Sequence, residues 1–82
     1  MNVFERENKT KEIFLGIFKE EGIPEAELKN FILESYVVQG YDYKTFEDIP
    51  ISEMEEAIMD TCEAAGLKFN NFDDILEYFN KQ

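Results

Sequence analysis

Carboxylates are the most abundant chemically active groups of this chain. Two sets of three stand close enough in sequence to act together: Asp42, Glu47 and Asp48, and Asp73, Asp74 and Glu77. Such sets can perform acid–base catalysis or bind a hard cation. The first set lacks the spacing and the central glycine of an EF-hand loop. The second set falls in the first turns of a predicted helix, where the helix dipole favours acids without any ligand. We therefore expect no metal site.

The other residue types used in catalysis are scarce. The chain has no histidine, so Ser–His and Cys–His pairs and His-ligated zinc sites are excluded. The single cysteine, Cys62, falls on the apolar side of a predicted helix, where a buried and inert thiol is expected. A lone cysteine cannot form an internal disulfide, which is typical of a reducing compartment. We predict a protein that is not an enzyme, with no catalytic residues and no cofactor.

The net charge restricts the partners. The 82 residues include 19 acids and 8 bases, which gives a net charge of −11. Nucleic acids and anionic membranes are therefore disfavoured as direct ligands, because both are bound through Lys and Arg. A basic protein surface, including that of a nucleic-acid-binding protein, is the natural partner. Acidity can also serve solubility alone. With no signal peptide and no long apolar run, we expect a cytoplasmic protein.

Acidic residues are concentrated on one side of a predicted third helix. Between Thr45 and Leu67 the chain contains no Lys or Arg. Four acids in this stretch recur at spacings of three, four and three residues, which places them on one outer face: Glu53, Glu56, Asp60 and Glu63. We call these four residues the acidic ridge. The ridge is either a solvated face without a partner or a surface kept acidic for a basic partner.

An aromatic loop precedes this helix and contains Tyr41, Tyr43 and Phe46. Aromatic residues are enriched at the energetic centres of protein interfaces, so the rings could anchor a partner beside the acids. Alternatively, the rings fold back and cover the core. The predicted partner-binding residues are these three aromatics, the adjacent acids and the acidic ridge: Tyr41, Tyr43, Phe46, Glu47, Asp48, Glu53, Glu56, Asp60 and Glu63.

Two helices are predicted in the first half of the chain. The first covers about 2–21, with Asn2 as its N-cap and Gly22 as its terminator. The second covers about 24–38, and Pro24 suits its first turn because the missing N–H is not needed there. Each segment carries apolar residues at helical spacing, which indicates one buried face per helix.

Two further helices are predicted in the second half. The third opens at Ser52, with a capping-box glutamate three residues later, and closes at Gly66. The fourth follows Asn71 as its N-cap and carries an apolar stripe of Phe72, Ile75, Leu76 and Phe79. No stretch of strict alternation predicts a strand. The fold class expected for 1–82 is all-α, a small four-helix bundle or orthogonal helical array in a single domain.

Parts of the chain resemble acyl carrier proteins, which are acidic four-helix domains of similar length. Residues 10–24 look like their first helix and its exit, and 70–79 look like their last helix. Residues 46–49, followed by Ser52, are similar to the approach to their prosthetic-group serine. Ser52 stands between Ile51 and Glu53, where that family has an Asp-Ser-Leu signature. The resemblance implies a carrier domain modified at Ser52.

Three hypotheses of function follow from these features. The leading one is a non-enzymatic protein-binding or regulatory module, a small acidic inhibitor that engages a basic protein surface. Phage-encoded nucleic-acid mimics, such as anti-CRISPR and anti-restriction proteins, act in this way as a class. The second is an acyl-carrier-like helical domain with Ser52 near the prosthetic-group position. The third is a structural helical domain that self-associates as a homodimer.

Overall fold

A computed structural model describes residues 2–81. It contains four α-helices: α1 (Val3–Phe18), α2 (Glu25–Val38), α3 (Ile51–Ala64) and α4 (Phe72–Asn80). A 3₁₀ helix, Phe46–Asp48, lies between α2 and α3, and residues 2–81 contain no strand. The prediction of an all-α helical array is confirmed. In the described part of the chain, no helix combines the length and the apolar character needed to cross a bilayer.

Asparagine side chains begin α1 and α4, as predicted. The Asn2 Oδ1 atom accepts a hydrogen bond of 2.8 Å from the backbone N–H of Glu5. The Asn71 Oδ1 atom accepts one of 3.0 Å from the N–H of Asp74. Each bond satisfies a backbone donor that has no partner within its own helix, which stabilises the helix by about 1 kcal/mol.

Prolines immediately precede the other two helices, so Pro24 lies before the first turn of α2 and not in it, and the prediction that Ser52 caps α3 is wrong. The carbonyl of Pro50 accepts from the N–H of Met54 at 3.2 Å, so the helical ladder starts before Ser52. The carbonyl of Pro24 accepts from Leu28 at 3.0 Å in the same way. The proline ring fixes φ in a range that suits the residue preceding a helix. Ser52 is therefore the exposed second residue of α3.

The first helix ends at Phe18, three residues before the predicted end at 21. Lys19 leaves the helix with an extended conformation, φ −65° and ψ 129°. Gly16 lies in the last turn, where glycine weakens a helix by about 1 kcal/mol relative to alanine. Gly22 does adopt a positive φ of 88°, but it does so in the turn that leads to α2 and not as a helix cap.

The core is centred on α1, which contacts the other three helices and packs most extensively on α3. Phe14 is fully buried. Its ring lies 5.2 Å from that of Phe18 and 6.2 Å from that of Phe46, between centroids. The remaining buried apolar residues come from every element: Ile13, Leu28, Ile32, Tyr36, Ile49, Met54, Ile58, Cys62, Phe72, Ile75 and Leu76. The apolar stripe predicted for α4 supplies three of these.

One arginine joins three helices at the edge of this core. The Nη2 atom of Arg6 lies 2.8 Å from Glu55 of α3, and its Nε atom lies 3.1 Å from Asp73 of α4. The guanidinium carbon is 5.4 Å from the centroid of the Phe72 ring, a cation–π distance. Arg6 therefore neutralises the one carboxylate of α3 that lies on the flank facing α1 and α4.

Candidate protein-binding surface

The acidic ridge lies on the outer side of α3. Glu56, Asp60 and Glu63 are exposed, and Glu53 is half-buried. The opposite side of the helix is buried in the core through Met54, Ile58 and Cys62. From Glu53 to Glu63 the helix rises about 15 Å, so the four carboxylates form a continuous negative strip along almost the whole element.

Within residues 2–81, no lysine or arginine forms an ion pair with the ridge. Among residues 2–81 the ion pairs link Arg6, Lys29, Lys44 and Lys81 to acids elsewhere in the chain. Glu55 belongs to the same helix and is paired with Arg6 at 2.8 Å. The carboxylate on the flank of α3 is therefore paired, whereas the carboxylates of the ridge are not. This difference distinguishes the ridge from a surface on which acidic and basic residues are interspersed.

The ridge opposes the stability of its own helix. Like charges three or four residues apart repel by a few tenths of a kcal/mol per pair. Glu63 also lies in the last turn of α3, where the helix dipole favours cations, and this turn has no basic residue. The arrangement is therefore better suited to receive external cations than to support the fold.

Replacing Glu63 with lysine should therefore stabilise the protein. We expect a gain of about 0.5–1 kcal/mol from the helix dipole and the relief of repulsion, and a Tm higher by about 4 °C. Thermal unfolding followed by circular dichroism measures this gain. The matched control is Glu21→Lys, which makes the same charge change at an exposed residue outside the helices. Equal gains in both variants would mean that only the total charge matters.

A cluster of three tyrosines lies beside the ridge. Gly40 takes φ 104°, a conformation that glycine adopts readily, and turns the chain back at the end of α2. The N–H of Tyr41 then donates to the carbonyl of Tyr36 at 3.1 Å. The rings of Tyr36 and Tyr41 meet edge to face at 5.3 Å, and Tyr43 stacks on Tyr41 at 5.3 Å. We call these three residues the tyrosine cluster.

The tyrosine cluster is partly exposed to solvent, and the negative charge of the ridge acts on it. Tyr36 is 9% exposed and Tyr41 is 38% exposed, while Tyr43 is half-buried. Burial, and then the negative charge of Glu53, raises the pKa of both Tyr36 and Tyr43. The phenols of Tyr36 and Tyr43 therefore stay protonated and neutral at physiological pH. The cluster is an aromatic surface at the N-terminal end of a negative strip.

Three predicted partner-binding residues lie elsewhere. Phe46 is 6% exposed and packs in the core, so this ring covers the core and is not an exposed anchor. The Asp48 carboxylate accepts from the backbone N–H groups of Lys44 and Thr45, at 3.0 and 3.1 Å, and so fixes the loop. Glu47 is exposed but lines a groove between α1 and α2, apart from the ridge. The predicted surface is thereby reduced to the ridge with Tyr41 and Tyr43.

That groove has a volume of about 850 Å³. Its lining includes three lysines and three glutamates around an apolar floor: Lys11, Lys19, Lys29, Glu12, Glu25, Glu47, Leu15, Leu28 and Phe46. Equal numbers of both charges give the groove no net preference for an anion or a cation. Lys29 is already engaged, 3.9 Å from Glu25 and 5.4 Å from the centre of the Phe46 ring.

The other side chains that could bind a metal ion or act as nucleophiles are far apart, paired with another residue or buried. Within residues 2–81, no three acidic or thiol side chains converge as they would to hold a metal ion. Asp73 is bonded to Arg6, and Cys62 is buried, which raises the pKa of its thiol. A buried thiol of raised pKa is a poor nucleophile.

Two features of the fold disagree with the resemblance to acyl carrier proteins. Helix α2 occupies the span between the first helix and Ser52. Residues 65–71, between α3 and α4, contain no further helix. Ser52 is exposed at the start of an acidic helix, a feature that accords with a modified serine.

Tyr36 belongs to the tyrosine cluster but is not among the predicted partner-binding residues, because its spacing predicts a place on the apolar face of α2. The signal was present in Gly40 followed by Tyr41. In a helix cap of this kind, the residue after the glycine contacts the residue five positions before it. That rule predicts a contact between Tyr41 and Tyr36.

Comparison with known proteins adds no relative from which a function could be transferred. No protein-family model, no curated protein and no solved structure matches this chain.

Proposed function

We propose that this chain is a non-enzymatic binding module that holds a basic segment of a partner protein on its acidic ridge and tyrosine cluster. The observation that carries the proposal is the unneutralised ridge. Glu53, Glu56, Asp60 and Glu63 share one side of α3, and in residues 2–81 none of them forms an ion pair.

The electrostatics favour a partner rich in Lys and Arg. A row of carboxylates presents charge to such a protein much as a phosphate backbone does, and nucleic-acid-binding proteins neutralise that charge with the same side chains. The net charge of −11 steers a basic partner toward the molecule. Occupying the surface with which the partner binds nucleic acid would make the chain an inhibitor.

The tyrosine cluster favours arginine among the basic residues. The ring pair of Tyr41 and Tyr43 is stacked with an interplanar angle of 21°, and Tyr41 is 38% exposed. A guanidinium group stacks on aromatic rings more readily than an ammonium group does. Glu53, next to the cluster, supplies a carboxylate for the same arginine.

Binding of short basic peptides tests the proposal. The probes are a peptide that alternates arginine with serine and its lysine counterpart, titrated into the protein by isothermal calorimetry. We expect affinity to fall at least about 10-fold when the Debye length shrinks from roughly 14 Å at low salt to roughly 6 Å. We also expect the arginine peptide to bind about 3-fold more tightly than the lysine peptide.

The variant Tyr41→Ser should remove the preference for arginine while most of the salt-dependent binding remains. Tyr78→Ser is a matched control, because Tyr78 is 37% exposed on α4 and does not belong to the cluster. Affinity that is insensitive to salt would overturn the proposal. An arginine preference unchanged in Tyr41→Ser would remove the tyrosine cluster from it.

Self-association is a second candidate, favoured by the outer side of α2. Phe31 is 64% exposed and Val38 is 86% exposed, and their spacing of seven residues places them on the same side of the helix. Glu34 is also exposed on this side, so a second copy would meet like charge. Sedimentation over a range of concentrations detects such a dimer, and a constant monomer mass would eliminate it.

A further inference from the structure

A small apolar hollow lies between the C-terminal half of α3 and α4. Its volume is about 340 Å³. Met59, Leu67 and Phe69 line it together with Ile75, and Glu63 and Lys68 supply its polar edge. Met59 is 36% exposed and Leu67 is 38% exposed, whereas Ile75 is 1% exposed. The hollow thus has accessible apolar walls and a buried apolar base.

The walls of the hollow are held in place by the fold. The N–H of Leu67 donates to the carbonyl of Cys62 at 2.9 Å, which fixes the chain after α3 in a helix cap. The ring of Phe69 packs edge to face on Tyr78 of α4 at 5.5 Å between centroids. A concavity with such constrained walls is available before any ligand arrives, and a preformed site costs less to occupy.

The hollow continues the acidic ridge. Glu63 is the last ridge residue and lines the hollow as well. Met59 lies four residues before Glu63 and three after Glu56, so it adjoins the ridge on the same helix. At the other end of the ridge, the charge of Glu53 acts on Tyr36 and Tyr43 of the tyrosine cluster. About 15 Å of helix separates the two ends.

We infer, resting on the proposed function, that the hollow is a second anchor point that receives one apolar side chain of the same basic partner segment. The charges of the ridge select the basic residues, and the lining of the hollow selects a leucine, isoleucine or methionine among them. A span of about 15 Å corresponds to roughly ten residues of a partner helix or roughly five residues of an extended strand. A second copy of this acidic chain does not fit, because the ridge would repel it.

Two peptides that differ at one position test this inference. Both alternate arginine with serine, and one ends in leucine where the other ends in alanine. Burial of the leucine side chain should make the leucine peptide bind wild-type protein about 10-fold more tightly. In Met59→Gln, which replaces an apolar wall by a polar side chain of similar shape, this gain should fall below about 3-fold. Affinity for the alanine peptide should stay unchanged.

A matched control comes from the other exposed apolar face. Phe31→Gln changes a side chain that is 64% exposed on α2, a helix whose backbone does not approach α3 or α4 closely. The full leucine gain should persist in this variant. Circular dichroism of each variant establishes that it is folded before its affinity is compared.

The outcomes separate the inference from the proposed function. If both peptides bind through the ridge with equal affinity, the hollow is not an anchor and the proposed function stands. If binding of neither peptide depends on the ridge, the inference and the proposed function both fail. A leucine gain that survives Met59→Gln, or that is lost in Phe31→Gln, places the leucine elsewhere and overturns the inference.

Discussion

Replacing Glu56, Asp60 and Glu63 together with lysine is expected to weaken binding of the arginine peptide by roughly 100-fold or more. Each replacement removes an attraction and introduces a repulsion across the interface. Charge pairs across interfaces contribute about 1.5 kcal/mol or more when close, and exposed pairs contribute less. A total of about 3 kcal/mol for the three sites is therefore a conservative expectation, and it corresponds to about 100-fold in Kd.

The helix should tolerate this variant. Glu56, Asp60 and Glu63 are exposed and form no ion pair within residues 2–81, so no internal partner is lost. Lysine is a good helix former, and a cation in the last turn is favoured by the helix dipole. A loss of affinity in this variant would therefore result from the changed charge of the ridge and not from unfolding of the protein.

A control with the same net charge isolates position from total charge. Glu20, Glu21 and Glu34 are exposed and lie away from α3. Their replacement with lysine also raises the net charge from −11 by six units, to −5. We expect less than about 5-fold loss for this control, since it changes only the long-range field. Comparable losses in the two variants would show that acidity acts without a defined site.

The largest expected effect on stability is that of Phe14→Ala. Phe14 is fully buried, and its ring contacts those of Phe18 and Phe46. Removing a buried phenylalanine ring costs about 3–5 kcal/mol through lost burial and the cavity left behind. The whole domain is expected to be stable by only about 4–12 kcal/mol. The variant should therefore lose a large part of that stability.

Urea unfolding monitored by circular dichroism measures this loss directly. Phe31→Ala is the matched control, because the same chemical change at a residue 64% exposed should cost less than about 0.5 kcal/mol. If Phe14→Ala costs less than about 1 kcal/mol, the packing around α1 differs from that described above.

The fold class could be predicted from the sequence because local signals agreed with one another. The apolar stripe of α4 and the caps at Asn2 and Asn71 each determine structure within one or two turns. Helix boundaries were harder to predict where neighbouring residues compete to cap the same helix. Ser52 is a good cap in isolation, but Pro50 precedes it and offers its carbonyl to the helix first.

The candidate surface was predictable where helical periodicity applied. Glu56, Asp60 and Glu63 share an outer side because of their spacing alone. Loop residues have no such periodicity, so nothing in the sequence separated the buried ring of Phe46 from the half-buried ring of Tyr43. The apolar hollow could not be predicted, since it exists only where the cap of α3 meets α4.

The most direct test of the central claim is a titration of ¹⁵N-labelled protein with the arginine peptide, followed by amide chemical shifts. We predict that the largest shift changes fall on residues 53–63 and on the loop that carries Tyr41 and Tyr43. Amides of α1 and of the groove between α1 and α2 should change little. Shift changes that spread evenly over the acidic residues, or that centre on α1 or α2, would contradict the account.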